Sequence, residues 1–564
     1  MSFIGARASR LALGVLLLLL LLFTGIAFAQ SERGTIAGTI TDPSGAAIPG
    51  AKVVITNKNT NTTSTLTSNE VGSYTAPNLS PGEYNIRVEH LGFKASAVNG
   101  LTVNAASSIR ADISLEVGGT QQTVEVSASA IALATDNAQA ATVVNNKLVD
   151  ELPTVVGGAM RSPFDLAILT PEAKNFGDNN FQMGGGQAAS FGVTLDGVSA
   201  NTTRALTNSW VAVNTPSLDA ITEFSVETNG FKAEYGHAGG GQMTFVSKSG
   251  TNRLHGSAYE FVRNTVFDAN DWFANANGRQ RKVYKQNDFG ASVGGPVWIP
   301  KIYNGKDKTF FFFSYEAFRN RVGASSNYAT VPTEEMYKGD FSKWVNSAGA
   351  VIPIYDPFSL HKNDAGVDVR DPFAGNQIAT SRFDPLSVKA LSVYQANGGV
   401  LKPNVSAAPG SVGYVNNNYI IASGTVVNPQ TKYSLKLDHN LGSKDRFSGY
   451  IGWNRTGAQP GAQGPSTLPG YYSDFNDTVR NSNVYRFSWD RTFTPTLLNH
   501  FYAGGNDWKE NHDPIQATVK SGIDWKDKIC LPGVPNCGEN LVNLRFDGYS
   551  GWGGAANNGS ENAL

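Results

Sequence analysis

Cysteine is nearly missing from this chain. Only Cys530 and Cys537 occur among 564 residues, which excludes a disulfide-scaffolded fold and, without a companion pair at ligand spacing, a zinc module. Histidine is sparse too. The seven stand at 90, 237, 255, 361, 439, 500 and 512, with no HExxH pair, no GxSxG elbow and no nucleophilic cysteine context, so the sequence reads as non-enzymatic and calls for no metal or cofactor. Charge of one sign is lacking as well: 45 basic residues against 46 acidic ones leave no electrostatic footprint for nucleic acid. Beyond the first 29 residues no apolar run reaches the length of a spanning helix. Any passage through a membrane must therefore be made by strands closed into a barrel.

What is present begins with a leader. Arg7 and Arg10 precede an apolar run from Leu11 to Phe23, and Ala27, Phe28 and Ala29 form a small-x-small site, so residues 1–29 read as a signal peptide with Gln30 as the mature start. The alternative is a retained anchor, because apolar character extends nearly to Phe28.

Residues 30–118 read as an Ig-like β-sandwich. Ile36, Gly38 and Ile40 share one strand face, Asp42, Pro43, Ser44 and Gly45 turn the chain, and Lys52 to Asn57 return it. Tyr84, Ile86 and Val88, then Ile109, Ala111, Ile113 and Leu115, repeat the alternation. The stretch GTITDPSGAAIPGAKVVITN with GSYTAPNLSPGEYNIRVEHLGF resembles the carboxypeptidase regulatory-like domain, an accessory sandwich of the carbohydrate-binding-like folds. That resemblance implies an appendage without catalysis. Tyr74, Tyr84 and Phe93 suit core packing, with a carbohydrate-binding role as the alternative.

Residues 119–141 read as a linker. Within it QQTVEVSASA is strand-like with no partner nearby, and Thr123, Val124, Glu125, Val126, Ser127 and Ala128 resemble a TonB box, a segment that adds as a strand to a periplasmic energy-coupling protein. An ordinary linker and a last strand of the sandwich are the alternatives. From 142 to 252 the chain reads as a small α+β plug. Ser162 and Pro163 open a short helix signal through Leu169, Asp196 and Gly197 mark a turn, and Glu223–Thr228 and Gln242–Ser249 read as strands joined through Gly239, Gly240 and Gly241. Neither glycine triplet carries the Lys and Ser/Thr of a phosphate loop, and His237 and His255 read as structural residues.

The run AEYGHAGGGQMTFVSKSGTN with LHGSAYEFVRN resembles the end of the plug and the first barrel strand of TonB-dependent outer-membrane receptors, in particular their Oar-like branch. Leu195, Asp196 and Gly197, FGASVGGPV and KTFFFFSYEAFR agree with it. The resemblance implies an energy-coupled receptor or transporter in the cell outer membrane, in contact with lipid and with a periplasmic TonB-type protein. Sandwich and plug would face the periplasm. The ligand would be carbohydrate, peptide or another solute. A non-transporting surface binding or adhesion protein is the rival reading; an exported carboxypeptidase rests only on the sandwich's name.

Residues 253–564 read as the first part of a transmembrane antiparallel β-barrel. Seven strands are expected, near 255–264, 286–295, 309–319, 431–439, 445–454, 482–492 and 497–505. Tyr433, Leu435 and Leu437 oppose Ser434, Lys436 and Asp438; Phe447, Gly449, Ile451 and Trp453 oppose Ser448, Tyr450 and Gly452; Tyr485, Phe487 and Trp489 oppose Arg486, Ser488 and Asp490. The aromatic faces suit lipid and the charged faces a lumen. Connections alternate long and short, which puts the long ones outside and the short ones in the periplasm. Seven strands fall short of the about 22 of such transporters, so the chain reads as a fragment, with completion of the wall by a further chain as the alternative. Cys530 and Cys537 then fall in an outer loop, where Pro532, Gly533 and Pro535 favour a small disulfide-closed tip.

Overall fold

The computed structural model describes residues 33–119, 123–127, 140–145, 160–163, 169–175, 181–187, 190–201, 216–229, 236, 238–276, 278, 281, 283–323, 327–396, 399–421, 425–427, 429–442, 444–457, 476–494, 497–514 and 559–563. The leader at 1–29, Ala128, the helix signal after Pro163, His237, Cys530 and Cys537 lie outside them.

Nine strands build the N-terminal sandwich: β1 (Gly34–Thr41), β2 (Lys52–Asn57), β3 (Thr63–Thr67), β4 (Ser73–Leu79), β5 (Gly82–Glu89), β6 (Ala95–Val103), β7 (Ser108–Arg110), β8 (Ile113–Ser114) and β9 (Thr123–Ser127). One sheet runs β4-β1-β7, with β8 also on β1; the other runs β3-β2-β5-β6-β9. Alternation works as expected, since Ile36, Ile40, Val53, Ile55, Ile86, Val88, Ile113 and Leu115 are buried between the sheets. Gly38 is needed there, because a Cβ would sit 2.0 Å from the Ala111 carbonyl oxygen. Tyr74 and Tyr84 are core residues whose hydroxyls donate to the Ala111 and Ser80 carbonyls, both at 2.7 Å. Phe93 packs against the same core.

The structure differs from the expected linker at β9. Thr123–Ser127 pairs in parallel with β6, from Ala95↔Thr123 to Asn99↔Ser127. The segment read as lacking a partner is the outer strand of the sandwich sheet, which continues past residue 118. Alternating β-branched residues gave the strand signal, but its partner lies across a turn-rich gap that local sequence does not encode.

The plug contributes β10 (Ala140–Asn145), β11 (Ala173–Asn175), β12 (Phe181–Met183), β13 (Gly192–Leu195), β14 (Val198–Ser199), β15 (Ile221–Asn229) and β16 (Gln242–Ser247). Its main sheet runs β10-β15-β16-β13-β14. Phe224 and Phe245 pack in its centre with ring centroids 5.4 Å apart and planes tilted by 39°. Every described side chain of β13 and β16 is buried, the signature of a sheet covered on both faces.

The third part is one antiparallel sheet. Its long strands are β17 (His255–Asn264), β18 (Tyr284–Pro296), β21 (Thr309–Gly323), β27 (Gln430–Leu441), β28 (Asp445–Gly457), β29 (Asn476–Thr494), β30 (Leu497–Pro514) and β31 (Gly559–Ala563), paired in that order. Between them stand the short hairpin β19 (Trp298–Ile299) and β20 (Tyr303–Asn304), the pieces β22 (Asn327–Ala329), β23 (His361–Lys362), β24 (Asp368–Val369) and β25 (Tyr419–Ile421) of the longest connection, and β26 (Thr425–Val427), which pairs with β21. The seven expected strands are all present and unslipped, with Leu435↔Ile451 and Ile451↔Tyr485 in register on the outer face. The expected count of seven is corrected by β31, which pairs with β30 from Trp508↔Ala563 to His512↔Gly559. Its sequence GSENA has no alternation to announce it. Among the described residues no helix is long and apolar enough to cross a membrane.

The long connection between β21 and β27 folds by itself. β22 pairs with β25 at its neck, and Met336, Val345 and Val415 form a small core with Phe341, Trp344 and Tyr414. Buried Asn418 ties its ends, donating to the Val331 and Tyr414 carbonyls at 2.8 and 3.0 Å and accepting from the Val331 amide at 2.9 Å.

Candidate functional site in the plugged lumen

Inward positions of the barrel strands carry the charge that alternation assigned to a lumen: Asp288 on β18, Glu316 on β21, Lys432 and Lys436 on β27 and Arg486 on β29 are all buried. Buried charges need partners, and the plug supplies them at two places.

The first is the β13–β14 hairpin. Asp196 and Gly197 turn it with φ of 50° and 81°, backbone angles that Asp tolerates and Gly prefers. Held this way, Asp196 accepts from the Ser247 amide at 2.9 Å and from the Ser247 hydroxyl. The oxygen that accepts the Ser247 hydroxyl, Oδ2, also meets Arg486 at 3.1 Å and Lys436 at 3.7 Å. Lys436 also donates to the Ser247 carbonyl at 3.1 Å. The same hairpin packs against β30 at Gly504, where a Cβ would lie 2.8 Å from a Val198 methyl. Tyr450 and Val484 from the barrel join the plug's own core. Asp196 is thus the expected turn residue and also the anchor of the plug, a role its turn motif did not reveal.

The second is Arg161, which the sequence reading missed. Its guanidinium reaches Asp219 at 3.0 Å, Glu316 at 3.4 Å and Asp288 at 3.5 Å, and lies over the rings of Tyr259 and Phe261 at 4.3 and 4.6 Å. Burial opposes its charge, but Glu316, Tyr259, Asp219 and Asp288 outweigh burial and hold its pKa above the usual arginine value. The available signal was indirect: Asp288 and Glu316 sit opposite one another's neighbours on inward faces and together require a cation.

The sandwich is seated at the barrel end that carries the short connections. Arg33 meets Asp490 at 3.2 Å, and Asp490 also pairs with His500. Arg446 donates to the Ser80 hydroxyl at 3.2 Å, Asn440 to Thr62 at 3.1 Å, and Asn61 to Asp307 at 3.1 Å. Between sandwich, plug and barrel lies a cavity of about 650 Å³, bordered by Arg33, Arg161, Asp196, Lys436 and Arg446.

Across the seam between sandwich and plug, the Ala105 amide donates to the Glu223 carboxylate. Burial pushes the Glu223 pKa up to about 7, with the Ala105 bond opposing it. A raised carboxyl pKa stabilises the docked form fully below the unfolded value near 4.5 and loses that contribution as pH rises through 7. Stability of the parent is therefore expected to fall between pH 5 and pH 8 by roughly 3 kcal/mol more than that of Glu223→Gln. Denaturant titrations of both at the two pH values check it; parallel pH dependence would contradict it.

Residues 246–563, more than half of the chain, match the family model described as outer membrane beta barrel domain. The chain belongs to that family. Residues 35–116 of this outer membrane β-barrel protein match the carboxypeptidase regulatory-like domain. The TonB-dependent transporter Oar of Myxococcus xanthus is 28% identical over 318 residues, which are 54% of this chain and 28% of that relative. The barrel protein thus spans under a third of the curated relative's length. The ferric enterobactin receptor of Pseudomonas aeruginosa aligns over 67% of this chain and 42% of its own, with TM-score 0.36 and 10% identity. The outer membrane transporter YddB of Escherichia coli aligns over 66% and 40%, with TM-score 0.37 and 11% identity.

Proposed function

We propose that the protein is an energy-coupled receptor of the outer membrane that moves a solute through its lumen and performs no catalysis. The observation that carries this reading is the plug itself: a separately folded sheet held among inward-facing barrel side chains by Asp196 and Arg161. A lumen filled in this way passes nothing until the plug shifts, and the shift requires work from outside the barrel. In this reading the short connections, the sandwich and the plug face the periplasm, the folded insert 327–421 captures ligand outside, and a TonB-type protein takes hold of Thr123–Ala128. The similarity to the Oar transporter supports the coupling. The sandwich's carbohydrate role loses Tyr74 and Tyr84 as contact residues, since both are buried in its core.

Coupling is tested with the peptide Gln121–Ala130 titrated into the periplasmic domain of the cognate TonB-type protein. Saturable binding that disappears with Val124→Pro is expected, because proline removes a backbone donor from the added strand. No binding by the parent peptide would overturn the coupling and favour a surface binding protein.

A further inference from the structure

The connection between β18 and β21 is longer than a tight turn. Between Pro296 and Thr309 the chain extends the barrel wall into the β19–β20 hairpin with Trp298↔Asn304 and Ile299↔Tyr303 paired. Water-facing hairpin tips are normally polar. This one reads Ile299, Pro300, Lys301, Ile302, with Trp298 67% and Ile302 81% exposed. It is built to hold that shape. The Val297 amide donates to the Thr309 carbonyl at 2.8 Å, the Gly305 amide to the Val297 carbonyl at 2.9 Å and the Ile302 amide to the Ile299 carbonyl at 3.0 Å.

We propose that this hairpin is a membrane anchor whose Ile299 and Ile302 insert into the phospholipid leaflet at the short-connection end of the barrel. The strands it prolongs already face lipid: Val293↔Phe313 and Gly295↔Phe311 are outward pairs of β18 and β21, and Leu254 lies across the outward side of Gly295. Ile299 continues that band beyond the last wall residues, since it pairs with Tyr303, whose hydroxyl meets the outward Thr309. Exposed isoleucine with nearby lysine suits the zone between acyl chains and headgroups. Lys301, Lys306 and Lys308 are exposed on the same connection, whereas Asp307 is engaged by Asn252 and Asn61. The excess is positive and matches anionic phospholipid headgroups. Asp307 also explains how one connection serves two surfaces, since its base meets the sandwich while its tip points an apolar edge away.

The anchor rests on the barrel reading, and its leaflet on the proposed orientation. The test uses the full chain with Cys530→Ser and Cys537→Ser, carrying a nitroxide at Ile302→Cys or, as an aqueous reference, at Ala365→Cys, in vesicles of phosphatidylethanolamine with phosphatidylglycerol. At 302 collisions with oxygen are expected to exceed those with a water-soluble nickel chelate, and at 365 the order is expected to invert. Replacing Lys301, Lys306 and Lys308 by Gln is expected to make the 302 label shallower. Nickel access at 302 equal to that at 365 would place the hairpin in water and overturn the anchor. Exclusion of both reagents would mean a protein partner covers it and would overturn it equally. Sidedness is read separately, from protease cleavage at the Lys residues in intact cells: a lipid-inserted label with cleavage from outside keeps the anchor and overturns the orientation.

Discussion

Asp196→Ala is expected to loosen the seated plug by about 3–5 kcal/mol, the usual loss when one member of a buried ion pair is removed. The estimate follows from position. Asp196 is 1% exposed, and its carboxylate faces Arg486 and Lys436 while holding the Ser247 amide, so its removal withdraws both a charge and an acceptor. Alanine also disfavours the positive φ of the turn. Asp196→Asn separates these effects, because asparagine adopts the same backbone and accepts the amide but carries no charge. Plug release is measured as solute leak through the reconstituted full-length protein and as protease cleavage of β15 and β16. The expected order of leak is Ala above Asn above parent. An Asn variant as tight as the parent would show that charge does not hold the hairpin.

Arg161→Leu is expected to have a comparable effect by the opposite route, since it leaves Asp288 and Glu316, both fully buried, without the cation between them. Arg161→Lys restores charge but not the planar group lying over Tyr259 and Phe261, and an ammonium cannot reach three carboxylates in fork geometry. Leak should rank Leu above Lys above parent. If Lys matched the parent, the ring contacts would contribute nothing, and if Leu matched it, the lock would reside wholly at Asp196.

Much of this arrangement was legible in the residues. Period-two alternation located β27, β28 and β29, because lipid on one side and a polar lumen on the other impose opposite chemistry on neighbouring side chains, while β17, β18 and β21 were located by the resemblance of LHGSAYEFVRN, FGASVGGPV and KTFFFFSYEAFR. Alternation also named Lys436 and Arg486 as inward. The far ends of β29 and β30 escaped: Asn476–Asn481 and Asn506–Pro514 are mostly polar, with Val479 and Trp508 too isolated to show a period. Arg161 escaped because a buried arginine in a loop has no periodicity, and its partners are 58, 127 and 155 residues away. The sandwich's seat escaped for the same reason. Contacts such as Asn440 to Thr62 join a polar strand end and a polar loop that look solvated until two folded units meet.

The parallel pairing of β9 with β6 has a mechanical meaning. A force applied along the strand axis loads all the backbone bonds of Ala95–Asn99 against Thr123–Ser127 together, whereas a force across it opens them singly from one end. The segment proposed as the handle for the periplasmic motor is therefore also a fuse. Pulled lengthwise it passes tension into the sandwich and through Arg33 to the barrel rim; peeled sideways it yields early and hands the tension to the chain that leads to β10 and the plug. The direction of pull, as much as its strength, selects which part of the molecule moves first.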